Sequence, residues 1–369
     1  MDKDDLIIVA LSGGVDSAVA ALILKEKGYK VEALHMTNWE DDGYCESAKD
    51  LKDAKQICKH IGVDLHRVNF SDKYKKSVFK DFLKEYEMGR TPNPDILCNR
   101  NIKFGVLQEY IKRLGGKYLA TGHYAKVLIK QNKSYLLKGK DANKDQSYFL
   151  HAVNSYDLEN VVFPLGDKYK EEVREIAIKS GLHVAKKKDS TGICFIGERP
   201  FAKFLSDYIE KKPGCIKDED GNVIGEHIGL PYYTIGQRQG LHIGGISMYE
   251  EKPWYVAAKD TKNNTIIAVQ GSDNPSLFKK KLVTLSSCHW INNCPIELKT
   301  AESFRCQAKI RYRQKDQECK IKVLKDHSIE VEFDSLQRAI TPGQYIVFYK
   351  NEYCLGGAII DKGIDLEKV

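Results

Sequence analysis

The chain has 369 residues, with 58 Lys+Arg against 51 Asp+Glu for a formal net charge of +7. That length predicts two or three domains, each able to bury a core, and the mild basic excess suits a polyanionic partner without requiring one. The opening MDKDDLIIVALSGG has neither a basic n-region nor a cleavable apolar segment, and no apolar run approaches transmembrane length; a cytoplasmic chain without membrane contact is expected.

The first ~200 residues alternate strand and helix signals. LIIVA (6–10) reads as a buried strand, and 16–27 as a helix that opens near Asp16 and ends at Gly28. KVEALHM (30–36) is a second strand. Over 46–61, Ala48, Leu51, Ala54, Cys58 and Ile61 recur at helical spacing, and Gly62 stops the run. DLHRVNF (64–70) and KYLATG (117–122) are further strands, with helices expected over 73–88 and 101–114. This alternation predicts an α/β domain built on a doubly wound, mostly parallel sheet, with ligands at the carboxyl ends of its strands. The period changes after about residue 205. WYVAAKDTKNNTIIAVQG (254–271) reads as a hairpin turning at Asn263-Asn264. From 276 onward short alternating runs dominate, FRCQAKIRYR among them, in which Arg311, Tyr312 and Arg313 alternate as a strand would. A small β-rich central domain and a C-terminal β-barrel follow, with expected boundaries 1–204, 205–274 and 275–369.

Chemistry concentrates in three stretches. Ser12, Gly13 and Gly14 in ALSGGVDS (10–17) can turn backbone N–H groups toward an anion, and the helix beginning near Asp16 adds its positive end. The alternative is a simple glycine turn. In GRTPNPDILCNRNIKF (89–104), Pro92 and Pro94 stiffen the approach to DILC. Asp95 is then placed to cap a short turn, with Cys98 three residues on. Cys98 is either a thiol whose pKa is lowered by free N–H groups of a first helical turn or a buried helix cysteine. In KKKDSTGICFIGERPF (186–201), Gly192 and Gly197 mark a tight loop around Cys194, and Lys186 to Lys188 would favour a thiolate or meet phosphates; the alternative is a surface turn with an incidental cysteine. The ten cysteines include no CxxC and no zinc-finger spacing, so no structural metal is expected.

SGGVDS directly after a buried strand resembles the pyrophosphate loop of the N-type ATP pyrophosphatases, which split ATP between the α and β phosphates and pass AMP to a carbonyl oxygen. With no Walker lysine, such a loop would hold the leaving pyrophosphate. Taken in order, SGGVDS, TPNPDILCN and DSTGICFIG, together with GLPYYTIGQRQGLHIGG and KIRYR, resemble the tRNA-specific 2-thiouridylase family from about residue 6 to about 360. That resemblance implies exchange of the 2-oxygen of the wobble uridine for sulfur in tRNAs for Lys, Glu and Gln. It implies an ATP site at Ala10, Leu11, Ser12, Gly13, Gly14, Val15, Asp16 and Ser17, with Met36 and Gly122. Asn93, Pro94 and Asp95 would meet the target base, with Asp95 also an acid/base group. Cys194 would carry the persulfide, Cys98 would be the second catalytic thiol, and a Cys98–Cys194 disulfide would form in the reaction. His123, Lys144, Asp145, Gln146, Arg311, Tyr312 and Gln344 would touch tRNA. Mg²⁺ would accompany ATP, and a cysteine desulfurase or a sulfur-relay protein would supply sulfur.

From the residues alone, His123 and Gln344 are equally turn residues, and Arg311 and Arg313 equally a solvated barrel face. Two other functions compete. An ammonia-using ATP pyrophosphatase needs the same loop but no thiol pair. A non-catalytic RNA-binding protein would form no AMP.

Overall fold

The computed structural model describes residues 1–40, 47–189, 193, 196, 199–244, 249–300 and 302–364. Cys194 lies outside the described residues. The first sheet is parallel, in the order β3-β2-β1-β4-β7. Its strands are β1 (Leu6–Ala10), β2 (Lys30–Thr37), β3 (Leu65–Asn69), β4 (Tyr118–Ala120) and β7 (Val161–Val162). Ile7, Ile8 and Val9 are fully buried, as both-sided cover requires. Helix α1 (Val15–Glu26) is apolar almost all round, and Val15 and Ala18–Leu24 are buried. It packs against α2 (Ser47–Ile61) as well as against β1 and β2.

The helix expected over 73–88 spans 71–87, with α3 (Lys80–Glu87) following a π-helical turn at Lys75–Phe79. The segment after the two prolines is helical throughout. It begins with α4 (Pro94–Leu97), passes through a π-helical stretch at Cys98–Val106 and ends in α5 (Leu107–Arg113). A later helix, α6 (Lys170–Lys179), also packs on α1. No described helix is long and apolar enough to cross a membrane.

The central domain is a four-stranded sheet ordered β10-β11-β8-β9. Its strands are β8 (Gly214–Lys217), β9 (Val223–His227), β10 (Trp254–Asp260) and β11 (Thr265–Gln270). The 254–271 hairpin is present, with Asp260 opposite Thr265 and Asn264 at positive φ. The C-terminal barrel closes through six antiparallel strands, β12-β16-β15-β14-β17-β18 and back to β12. They are β12 (Phe278–Thr284), β14 (Phe304–Lys309), β15 (Gln317–Val323), β16 (Ile329–Arg338), β17 (Tyr345–Lys350) and β18 (Tyr353–Ile364), while the short β13 (His289–Trp290) pairs with β18.

Two features depart from the sequence expectations. β14 stops at Lys309, and Arg311, Tyr312 and Arg313 lie in a turn closed by Gln314 N–H to Arg311 C=O at 3.1 Å, because the chain must reverse there into β15. A hairpin that periodicity did not show, β5 (Ala125–Lys130) and β6 (Lys133–Lys138), leaves the first domain and pairs with β18 of the barrel, Leu137 opposite Tyr353 and Leu136 opposite Cys354.

Candidate active site

The nucleotide-type loop lies where expected, at the carboxyl end of β1. Leu11 N–H donates to Leu34 C=O at 2.9 Å, so the chain leaves the sheet beside the end of β2 and Met36. Gly13 has φ +82°, and a Cβ there would stand 2.4 Å from the Asp50 carbonyl oxygen. A Cβ on Gly122 would meet Asp16 and Ser17 backbone at 2.8 Å. The loop is therefore too tightly packed for side chains at either glycine. Hydroxyls shape it from within: Ser12 N–H donates to Ser17 Oγ at 3.2 Å, Gly14 N–H to Ser12 Oγ at 3.3 Å, and Ser17 Oγ to Gly14 C=O at 3.1 Å. The first helical bond of α1 runs from Ala18 N–H to Gly14 C=O, so the preceding N–H groups are not consumed by the helix. Lys187, from the run expected to serve a thiolate or phosphates, donates to Gly13 C=O at 3.1 Å and to Asp50 and Asp53 at 2.8 and 2.7 Å. Just beyond β2, the buried Asn38 Oδ1 has no hydrogen-bond partner among the described residues. A nucleoside triphosphate fits this set: N–H groups at the head of α1 that the helix does not use, a cradle with no room for a Cβ, and a buried acceptor just beyond β2 that is unsatisfied among the described residues.

The second segment is built differently from its sequence reading. Asn93, not Asp95, caps α4: its Oδ1 accepts from Asp95 N–H at 3.2 Å, and Pro94 occupies the first turn, where no N–H is needed. Asp95 sits inside that turn, half-buried. Burial raises its carboxyl above the ordinary value, partly opposed by the Lys103 ammonium. Cys98 is buried (5% exposed) and begins the π-helical stretch, a geometry that recurs at functional sites. Next to it, Asn99 Nδ2 donates to Phe149 C=O at 3.0 Å, while its buried Oδ1 has no partner among the described residues. The loop leading in is pinned from both other domains. Gln344 Nε2 donates to Thr91 C=O at 2.8 Å, Thr91 N–H to Pro342 C=O at 2.9 Å, and Lys259 Nζ to Gly89 C=O at 2.9 Å.

The remaining expected tRNA contacts fall into two groups. Lys144, Asp145 and Gln146 form one short segment under the barrel. The Tyr312 hydroxyl donates to Lys144 C=O at 3.3 Å, and its ring lies 4.5 Å from that of Phe149. Asp145 is buried and accepts from Gly139 N–H, Ser147 N–H and Ser147 Oγ at 2.9–3.1 Å. Arg311 reaches back to Ala339 C=O at 3.0 Å and Thr341 Oγ1 at 3.1 Å. His123, by contrast, is buried among Phe104 and Phe163 and hydrogen-bonded to Thr121 Oγ1 at 2.7 Å. Its ring faces the core rather than solvent, and burial, with Lys103 adding to it, holds it neutral far below the usual histidine range. Among the other thiols, Cys58, Cys306, Cys319 and Cys354 are buried core side chains.

Sequence reasoning missed the groups that tie these parts together. Asp16 Oδ1 accepts from Lys170 Nζ at 2.7 Å and from the Tyr124 hydroxyl at 2.8 Å. Asp189 accepts from Lys170 and Lys144, each at 2.7 Å, and from Arg174 at 3.0 Å. No local motif marks Lys170 or Tyr124, and Asp189 opens the DSTGICFIG stretch without announcing its partners, because these roles depend on contacts between distant segments.

The parallel sheet and its glycine loop define a nucleotide-binding α/β domain of the HUP class, and residues 5–198 match the family model described as a tRNA methyl transferase HUP domain. Residues 202–270 match the tRNA methyl transferase PRC-barrel domain, and 280–360 the aminomethyltransferase beta-barrel domain. The tRNA-specific 2-thiouridylase MnmA of Chromohalobacter salexigens is 53% identical over 96% of this chain and 92% of its own. That of Vibrio cholerae is 52% identical over 97% and 96%. A solved 4-thiouridine synthetase–RNA complex with bound ATP is 18% identical, with a TM-score of 0.37 over 55% of this chain and 50% of that one. The chain belongs to the tRNA-specific 2-thiouridylase family, a family of tRNA sulfurtransferases.

Proposed function

We propose that this enzyme exchanges the 2-oxygen of the wobble uridine for sulfur in tRNAs for Lys, Glu and Gln, in the cytoplasm, consuming ATP and releasing AMP and pyrophosphate. A uracil 2-carbonyl is a poor electrophile, and its oxygen is a poor leaving group. Adenylation corrects both faults. Residues 10–17 hold the triphosphate through backbone N–H groups, and Met36 and Gly122 border it. Mg²⁺, held with the phosphates beside Asp16, would neutralise charge on the departing pyrophosphate.

Asn93 and Pro94 position the base. Asp95, its pKa raised by burial, holds or accepts the proton that moves as the uracil is activated. The terminal sulfur of a Cys194 persulfide attacks C2 and expels AMP. Cys98 then attacks Sγ of Cys194: the persulfide S–S bond breaks, its outer sulfur stays on C2, and a Cys98–Cys194 disulfide forms. A thiol reductant resets the pair. In the other order, Cys98 attacks first and frees hydrosulfide, which adds to C2. The persulfide itself comes from a cysteine desulfurase or a relay protein. We divide these tasks among units 1–204, 205–274 and 275–369. The first does the chemistry, and the barrel supplies Arg311, Tyr312 and Gln344 to orient tRNA.

One observation supports this reading above the rest. A phosphate-type loop without a Walker lysine shares a domain with the buried Asp95–Cys98 turn, and the loop before that turn is pinned by the two other domains. The test is one reaction of purified protein, unmodified tRNA for Glu, Mg²⁺, a cysteine desulfurase and cysteine, with and without ATP. ATP-dependent 2-thiouridine, weighed as the nucleoside, with matching AMP is the expected result. It should vanish in Cys98→Ser and Cys194→Ser. Full thiolation by either variant would refute the thiol roles, and tRNA binding with neither product would refute the enzyme.

A further inference from the structure

Two separate routes lead from residues 144–146 to one oxygen of the nucleotide loop. In the first, Lys144 Nζ pairs with Asp189 Oδ2 at 2.7 Å, Asp189 Oδ1 pairs with Lys170 Nζ at 2.7 Å, and the same ammonium donates to Asp16 Oδ1 at 2.7 Å. In the second, Gln146 clamps Tyr124 on both sides of its peptide. Gln146 Oε1 accepts from Tyr124 N–H at 3.0 Å, and Gln146 N–H donates to Tyr124 C=O at 2.8 Å. The Tyr124 hydroxyl then donates to that Asp16 Oδ1 at 2.8 Å. Lys170 and Tyr124 are 6% and 2% exposed, so neither can swing into water when its partners change. Between them, Asp145 fixes the segment through its bonds to Gly139 and Ser147.

We infer that Lys170 and Tyr124 are positioning residues that make nucleotide binding at residues 10–17 depend on tRNA occupancy at residues 144–146, acting through Asp16. This rests on the function proposed above. Around the two carboxylates stand three cations, Lys144, Lys170 and Arg174. A tRNA phosphate that draws Lys144 away leaves Asp189 with Lys170 and Arg174 alone. Lys170 is then held more strongly by Asp189 and less by Asp16. The Asp16 carboxylate is then less compensated by Lys170, beside the loop where a divalent cation would accompany the triphosphate, so tRNA tightens the nucleotide. Reciprocity requires the nucleotide to tighten tRNA by the same factor.

The test is calorimetric titration of the full chain with Mg²⁺ and α,β-methylene-ATP, which is not cleaved between the α and β phosphates. It is run with and without saturating unmodified tRNA for Glu. In the wild type, tRNA lowers the analogue Kd by about fivefold or more, the usual scale of such coupling. In Lys170→Met and Tyr124→Phe the ratio falls to within about twofold, near the edge of a resolvable coupling, while Lys170→Arg restores it. Tyr124→Phe removes a single hydroxyl and keeps the ring, so the test survives if Lys170→Met does not fold. A ratio unchanged in both variants, or a wild-type ratio of one with both ligands bound, overturns the coupling alone. A wild type that binds no analogue or no tRNA overturns the proposed function and the coupling with it.

Discussion

The acid/base role proposed for Asp95 draws on its burial. Because the fold raises its pKa, the folded state holds its proton to higher pH than the unfolded chain does. Its contribution to stability is therefore most favourable below the unfolded value of 3.8 and is lost as pH rises from there through the raised folded value. Asp95→Asn should remove that slope from chemical denaturation curves while thiolation falls by about 10²–10⁴-fold. His151 behaves in the opposite sense. Burial pushes its ring from 6.5 to about 3, so its contribution is complete above 6.5 and is lost as pH falls from there toward 3. His151→Gln should flatten the acid loss of unfolding free energy, read from chemical denaturation, by roughly 1.4 kcal/mol per pH unit within that window. At this scale the sequence was partly legible. Asp95 and Cys98 draw notice through the two prolines that precede them, but Asn93 as the cap and His123 as a core ring do not. A capping choice is settled by which side chain reaches the free N–H, and a histidine's environment by residues far away in the chain.

Among elements, the strand-to-helix turn at 10–17 is the most constrained. Gly13→Ala combines a positive φ with a Cβ aimed at the Asp50 carbonyl. Left-handed strain alone costs roughly 1–3 kcal/mol, so nucleotide affinity measured with the same analogue should drop about tenfold or more, with the sheet intact by circular dichroism. The periodicity of 6–70 was readable because β1 is a short buried apolar run and helices of clear apolar spacing alternate with the strands, although the edge strand β3 has no buried residue. The two π-helical stretches were not, since a π turn differs from an α turn by one residue per bond and leaves no compositional mark. The β5–β6 hairpin was also overlooked. Its turn residues Gln131 and Asn132 both take positive φ, a signal weaker in sequence than Asn-Gly. Arg311 to Arg313 show the converse error, for alternation continues past the end of β14 into a turn.

Across the whole molecule, three domains converge on the Thr91 region. Gln344→Ala deletes one of the bonds that hold it, a loss of about 1 kcal/mol in stability. Thiolation should fall more than nucleotide affinity does, because the affected loop leads to Asp95 and not to residues 10–17; analogue titration beside nucleoside analysis would separate the two. The barrel and the first domain also share a continuous sheet through β6 and β18. Calorimetry should accordingly find these two units unfolding in one transition rather than two.

That shared sheet carries a consequence for biosynthesis. On the ribosome β6 emerges more than two hundred residues before the strand that covers it. Throughout that interval the nascent chain presents an unpaired β-edge, the kind of surface that invites association with neighbouring chains. Expression of this enzyme should therefore depend on chaperones during elongation, and a chain that terminates before Tyr353 would leave the ribosome with that edge still open.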